Sequence, residues 1–208
     1  MEIQYYGANC VRLSSKKANI VVDDNLASLG HKSITKPGDI VLMTNKMDKP
    51  KADTKIVIDI PGEYEVSNTS IHGIPARAHM DEEGKHSATM FKIIADDLRV
   101  VVIGHVYPEL SDNQLEALGT VDVLIIPVGG NGYTLDSTGA LKLIRKIEPK
   151  LVIPTHYDDK ALKFEVPQQP LDEAIKGLAM EPKDTVPKIK IKAGELGETT
   201  QLLVLERQ

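Results

Sequence analysis

The apolar positions of this chain recur first with a period of two and later with a helical period. Ile3–Tyr6, Cys10–Leu13, Asn19–Asp23 and Ile40–Thr44 are apolar or β-branched runs bounded by Gly, Asn, Asp, Ser or Lys, which predicts short strands. Lys55–Ile60 continues the series, and Pro61–Gly62 supplies a turn. Glu63–Val66, Thr69–Ala78, Thr89–Ala95 and Leu98–Ile103 follow, the last two joined at Asp96–Asp97. That spacing predicts hairpins and a meander.

After Gly104 the pattern changes. Ser111–Asp112 can cap a short helix through Leu118, because a Ser or Asp oxygen accepts from the unpaired N–H groups of a first turn. Val121–Val128 is almost wholly apolar, as expected of a strand covered on both faces. Leu135–Ile147 has helical periodicity, with Leu141, Ile144 and Ile147 on one side, an acid near its start and basic residues near its end. Pro149 stops it, and Lys150–Pro154 predicts another buried strand. Leu171–Leu178 reads as a helix, and Lys188–Lys192 and Gln201–Glu206 as late strands. Pro167–Pro170 and Glu181–Pro187 read as surface connectors. The order predicts an α/β fold in one domain over residues 1–208: a four-layer αβ/βα sandwich, two mixed sheets face to face with helices outside.

Composition narrows the function classes. A net charge of −5 with interspersed lysines and acids gives no overall attraction to nucleic acid or anionic membrane. The single cysteine, Cys10, lies in an apolar run and reads as a small buried hydrophobe; one cysteine excludes an intramolecular disulfide and a multi-cysteine zinc site. The opening MEIQYYGANC lacks the basic start and apolar stretch of a secretion signal, and no apolar run approaches the ~18 residues that span a bilayer. The expectation is a cytoplasmic protein.

Candidate chemistry rests on histidines. No pair among the six has the i, i+4 spacing of two ligands on one helix, and no H-x-H occurs. His79, His105 and His156 nevertheless each follow the end of a predicted strand, where loops of α/β folds converge. Three imidazoles meeting there could hold one zinc-like ion with a fourth position for water. His31 and His72 read as structural or solvated, and His86 lies in a charged stretch, Asp81–Lys85, that reads as an exposed hairpin loop. Val128–Gly129–Gly130–Asn131–Gly132 is neither a P-loop nor G-x-G-x-x-G, and predicts positive φ angles and close backbone approach. G-x-S-x-G is absent, so serine hydrolysis has no support.

Several segments together resemble the metallo-β-lactamase superfamily, specifically its small bacterial branch of Zn-dependent-hydrolase-like proteins. They are IQYYGANCVRL, NIVVDD, DIVLMTN, IDIPGEYEV, VVVIGH, VDVLIIPVGG and IEPKLVIPTHY, reaching from Met1 to about Asp158. The resemblance implies a two-metal hydrolase with H-x-H-x-D-H after Thr44, a later His, an Asp in a G-D pair and a final His. Here Asn45 and Met47 stand at the first two histidines. Asp48–Lys49 matches the D-H pair only with one residue deleted; otherwise Lys49 stands at the aspartate. The early G-H-S/A is Gly7–Ala8–Asn9, and the G-D pair is Gly104–His105. His79 and His156 match ligand positions as they stand.

Asn and thioether are poor replacements for imidazole on zinc, and a nearby lysine repels a cation. The degenerate positions Ala8, Asn45, Met47 and Lys49 therefore predict the loss of the dinuclear centre. Three readings stay open. One is a metal-free pseudoenzyme whose cleft binds a small molecule or protein. Another is a metal-dependent hydrolase with one zinc, iron or manganese ion on His79, His105 and His156, with Asp48 as a catalytic candidate. The last is an assembly or oligomeric subunit. No cofactor is expected on the first.

Overall fold

Alternation in the first hundred residues becomes two sheets in the computed structural model, which describes residues 1–208. The first sheet contains β1 (Glu2–Gly7), β2 (Cys10–Ser14), β3 (Asn19–Val22), β4 (Ile40–Leu42), β5 (Ile56–Ile58) and, far along the chain, β13 (Ile189–Lys190). Their order is β13-β1-β2-β3-β4-β5. The hairpin strands pair antiparallel, whereas β3, β4 and β5 run parallel. The second sheet contains β6 (Gly62–Val66), β7 (Thr69–Ala76), β8 (Ala88–Ala95), β9 (Leu98–Val102), β10 (Val123–Pro127), β11 (Leu151–Thr155), β12 (Pro182–Val186) and β14 (Gln201–Leu205). It runs β12-β14-β11-β10-β9-β8-β7-β6. The meander β6 to β9 is antiparallel, and β9 through β14 is parallel. Every residue of β10 and β11 is buried, as their unbroken apolar sequences predict.

The inner faces meet in one core. Ile3, Tyr5, Val11, Leu13, Ile20 and Leu42 of the first sheet join Ile71, Phe91, Ile93 and Val100 of the second. Burying such side chains contributes about 1.5–3 kcal/mol each. All three helices fall between β9 and β12 in the chain. Helix α1 (Asp112–Leu118) starts with the reciprocal Ser111–Gln114 capping box. Helix α2 (Ser137–Ile147) is capped by Asp136, whose Oδ1 accepts from the Gly139 N–H at 2.7 Å. Helix α3 (Leu171–Leu178) packs Ala174 and Leu178 inward. The outer face of the first sheet (Ala8, Cys10, Val21) is covered by Leu26 and Leu162, with Leu29, Ile34 and Phe164 around them. Those residues lie outside the helices and strands, so the outer layer they form carries no helix.

Glu181–Pro187, expected to be a connector, instead contains the edge strand β12, parallel to β14. Its sequence PKDTV lacks apolar alternation and begins with proline, so the strand is imposed by the ladder of its apolar neighbour.

Two carboxylates fix the loops around the first sheet. Arg12 and Asp39 form a buried, two-pronged pair at 2.8 and 3.2 Å, and Arg12 also donates to the Ile34 carbonyl at 2.7 Å. Asp23 sits at φ +50°, a left-handed conformation that Asp and Asn tolerate better than other side chains. Its Oδ1 accepts from the Thr44 N–H at 2.7 Å and its Oδ2 from the Thr44 hydroxyl at 2.5 Å. The Thr44 carbonyl in turn accepts from the Thr89 N–H of β8 at 2.8 Å, crossing from one sheet to the other.

Burial pushes the Asp23 carboxyl up to about 7, even against the two hydrogen bonds from Thr44. The folded state therefore holds the proton more tightly than the unfolded chain. The Asp23 contribution is fully present below about pH 4 and is lost as pH rises through about 7. The difference corresponds to a few kcal/mol, roughly 4 at most. Asp23→Asn keeps both hydrogen bonds in the protonated pattern. Urea unfolding between about pH 5 and pH 8 should show stability falling in the wild type and a flatter profile in the variant. Parallel profiles would refute the assignment.

Candidate functional site

His156 is placed by the end of β11. At φ +56° it leaves the strand, and its N–H donates to the Ala8 carbonyl at 2.8 Å. One residue earlier, the Thr155 hydroxyl donates to Asn9 Oδ1 at 3.0 Å. The β1–β2 turn is thus tied to the end of β11. His156 is 3% exposed, and its Nδ1 lies 3.0 Å from Gln168 Oε1. Because Gln168 Nε2 donates to the Val166 carbonyl at 2.8 Å, Oε1 is the atom facing the ring. The network therefore assigns the proton to Nδ1 and leaves Nε2 a lone pair. Burial lowers the His156 pKa to about 4, partly countered by the Gln168 hydrogen bond.

His105, at 5% exposed, stands edge-on to the His156 ring at 4.8 Å and to Tyr133 at 5.1 Å. Burial first, then the neighbouring His156 and His79, hold its pKa well below the ordinary histidine range. Both rings are accordingly neutral at neutral pH. The half-buried His79 joins through its backbone, its N–H donating to the His105 carbonyl at 2.8 Å. Its ring lies 6.0 Å from Tyr107, and the Arg77 guanidinium stacks on Tyr107 at 4.0 Å. Phe164 closes the group at 5.2 Å from His156. Two buried imidazole nitrogens, His79 Nδ1 and His105 Nε2, have no hydrogen-bond partner.

The glycine-rich loop behaves as its sequence predicts. Gly130, Asn131 and Gly132 have φ of +70°, +56° and +74°. Gly129 provides close approach: a Cβ there would stand 2.0 Å from the His156 carbonyl oxygen and 2.1 Å from Gln168 Oε1. Pro167–Pro170 is correspondingly more than a surface connector, since Gln168 is buried and orients His156. Nothing in PQQP distinguishes Gln168 from Gln169; the difference arises only where the segment meets Gly129.

The loop after Thr44 offers different chemistry. Asn45 Oδ1 accepts from the Lys46 N–H at 2.8 Å, and Met47 is half-buried. Asp48 is exposed, its Oδ2 accepting from the Ser28 hydroxyl at 2.9 Å. Lys49 pairs with Asp59 at 2.5 Å. Ala8 is buried at φ +47°, where only a methyl group occupies the early ligand position. His31 and His86 are exposed, and His72 faces Ser70 and Glu63 on the β6–β7 hairpin, away from the cluster. Asp81, expected in an exposed loop, is buried: it accepts from Ala78 N–H and from Ser87 N–H and hydroxyl at 2.7–2.9 Å, closing that loop. Burial works to raise its carboxyl, but these bonds and Lys85 outweigh it and hold it at about 2.

Residues 2–156 match the model of the Beta-lactamase superfamily domain. The chain belongs to that family. A relative from Salinibacter ruber, described as a UPF0173 metal-dependent hydrolase, is 25% identical over 194 residues, 76% of this chain and 85% of its own length. One from Pyrococcus abyssi with the same description is 31% identical over 102 residues, 47% of this chain and 44% of its own length. In several of the matched relatives, then, the alignment spans less than half of their length. Among solved structures, a putative Zn-dependent hydrolase of the metallo-beta-lactamase superfamily from Thermotoga maritima superposes with a TM-score of 0.77 at 25% identity. The superposition covers 100% of this chain and 99% of the other. An isothiocyanate hydrolase from Delia radicum gut bacteria, 10% identical with a TM-score of 0.59 over 85% of this chain and 91% of its own, shares the fold alone.

The donor set does not fit the two-metal centre the family implies. Its first loop presents an amide, a thioether and lysines, and nowhere do three or more His, Cys, Asp or Glu side chains come together in a group that could hold a metal ion.

The packing around His156 gives a direct test. Gly129→Ala should destabilise the fold by at least about 1–3 kcal/mol, because its methyl group meets backbone and Gln168. Imidazole ¹⁵N NMR should show His156 losing its fixed Nδ1–H tautomer. A neutral substitution with an unchanged ¹⁵N pattern would contradict this packing.

Proposed function

We propose that this domain is a binding member of a hydrolase fold, a pseudoenzyme whose cleft takes a ligand without dinuclear metal chemistry. The observation that carries the reading is the loop after Thr44. The positions that supply imidazoles in the family pattern are Asn45 and Met47 here. The neighbouring charged groups are already engaged, Asp48 with Ser28 and Lys49 with Asp59. A centre needing two cations bridged by hydroxide lacks half its donors.

A second reading is favoured by one specific feature, the unpartnered nitrogens His79 Nδ1 and His105 Nε2. Buried polar atoms without partners call for an ion or water, and relatives are described as metal-dependent hydrolases. On that reading His79, His105 and His156 would turn toward a single metal ion that polarises a substrate or water.

Elemental analysis of protein purified without chelator separates the two. The binding reading expects substoichiometric zinc, iron and manganese, and a melting temperature that ignores added metal. Stoichiometric metal that disappears in both His105→Ala and His156→Ala would overturn it in favour of the mononuclear hydrolase.

A further inference from the structure

An edge strand keeps one row of N–H and C=O groups unpaired, and can be joined there to another chain. The two sheets end in four such strands, β13 and β5 in the first, β12 and β6 in the second. Two identical edges related by a two-fold axis pair antiparallel, with residues opposed symmetrically about one central position. Like charges set directly opposite in this way are destabilising.

Three of the four edges fail that requirement. β6 reads GEYEV. Centred on Tyr64, it sets Glu63 against Glu65; centred on either glutamate, it sets that side chain against itself. β13 lies within Lys188–Ile189–Lys190–Ile191–Lys192. Centred on Ile189, it opposes Lys188 and Lys190; centred on Lys190, it opposes that lysine to its copy. β12 reads PKDTV, so its central Asp184 meets itself, and its opening proline has no N–H to donate.

β5 passes. Its residues Ile56–Val57–Ile58 carry no charge, and Ile56 and Val57 remain partly exposed. Lys55 stands immediately before them and Asp59 immediately after, both exposed. Centred on Val57, Ile56 faces the second copy's Ile58, and Lys55 faces the second copy's Asp59, twice by symmetry. The backbone is oriented for this pairing. The Met43 N–H donates to the Ile58 carbonyl at 2.9 Å, so Ile58 turns its backbone groups toward β4. Alternation then turns the Val57 N–H and C=O to the free side, where two copies can exchange reciprocal bonds. Lys55 donates to the neutral Ser67 hydroxyl at 2.6 Å, which leaves its charge unmatched. Asp59 pairs with Lys49 at the surface, where its carboxylate can accept from a second cation. Just beyond, Ile60 is 62% exposed and continues the same edge as an uncovered apolar side chain. We infer that β5 is a homodimerisation edge, through which two copies of this chain pair antiparallel about Val57 and join their first sheets. The inference goes beyond the binding reading and does not depend on it.

The test is sedimentation equilibrium of the full chain, with amide hydrogen exchange at Val57 as a second readout. A reversible dimer should be populated at about 100 µM, an affinity suited to a short ladder. The Val57 amide should be better protected at high protein concentration than at low. Val57→Lys sets two ammonium groups across the axis and should weaken the dimer at least about tenfold. Lys55→Asp, on an exposed side chain, opposes two acids at each end and should also weaken it about tenfold. Adding Asp59→Lys to Lys55→Asp restores opposite charges and should recover most of the affinity. Where Val57→Lys fails to fold, the exchange of charge at 55 and 59 carries the test. The inference is overturned by a chain that stays monomeric at about 500 µM, which would leave this edge to a different partner. It is equally overturned by a dimer that either folded single variant leaves unchanged, or by a double variant no tighter than Lys55→Asp alone. Val57 exchange that ignores protein concentration would also sink it.

Discussion

Thr44 is the residue through which the two sheets hold each other. Its N–H and hydroxyl are both spent on Asp23 at the end of β3, and its carbonyl accepts from Thr89 at the start of β8. On its other side, Gly104 approaches so closely that any β-carbon would overlap the Thr44 side chain, at 2.3 Å from Oγ1. Four segments therefore converge on one buried threonine: the ends of β3, β4 and β9, and the beginning of β8. The arrangement fixes where the chain leaves β4 into Asn45–Lys49 and where it leaves β9 into His105. It also requires glycine at 104, with φ +69°, immediately before the histidine. A second seam, Thr155 to Asn9 and His156 to Ala8, does the same for β11. The histidine cluster thus rests on backbone and short side chains rather than on mobile loops.

The chain meets the cost of buried acid in four different ways. Asp39 is matched by a guanidinium, which binds both of its oxygens. Asp81 is ringed by Ser87 and Ala78 donors, and its carboxyl is held at about 2. Asp23 has only Thr44 and so is driven toward the neutral form. Asp24 has one oxygen saturated and one bare. Hydrogen-bond supply explains the first three. For Asp24 it is uneven, with four donors on one oxygen and none on the other.

Much of the architecture was legible because burial is periodic. Strands such as β1, with alternate residues buried, and β10, buried throughout, follow from which faces are covered. The helices were legible from periodicity, and the first also from its cap: Ser111 caps as its type predicts, whereas Asp136, expected within a helix from Leu135, is the N-cap of one that starts at Ser137. β12 was not legible, because PKDTV becomes a strand only beside β14. The outer cover of the first sheet was not legible either, since Leu26 and Leu162 lie far apart in sequence and neither sits in a helix. At the site, His79, His105 and His156 were readable as strand-end residues. Gln168 was not, because it owes its role to a partner that only folding reveals.

The charge balance of the histidine cluster gives its departure from the family pattern a physical logic. In that pattern the residue after Gly104 is an aspartate, and an aspartate in the place of His105 would be fully enclosed by His79, Tyr133 and His156. An acid there is stable when cations compensate it and costly when they do not. An imidazole in the same place can shed its charge, and burial drives His105 to do so. His156 follows the same rule, with Gln168 accepting from Nδ1 where a carboxylate would have added charge. His105 and His156 are thus two neutral rings packed edge to face at 4.8 Å. Asn45 and Met47 after Thr44 and the imidazole of His105 together leave this end of the fold with neutral groups.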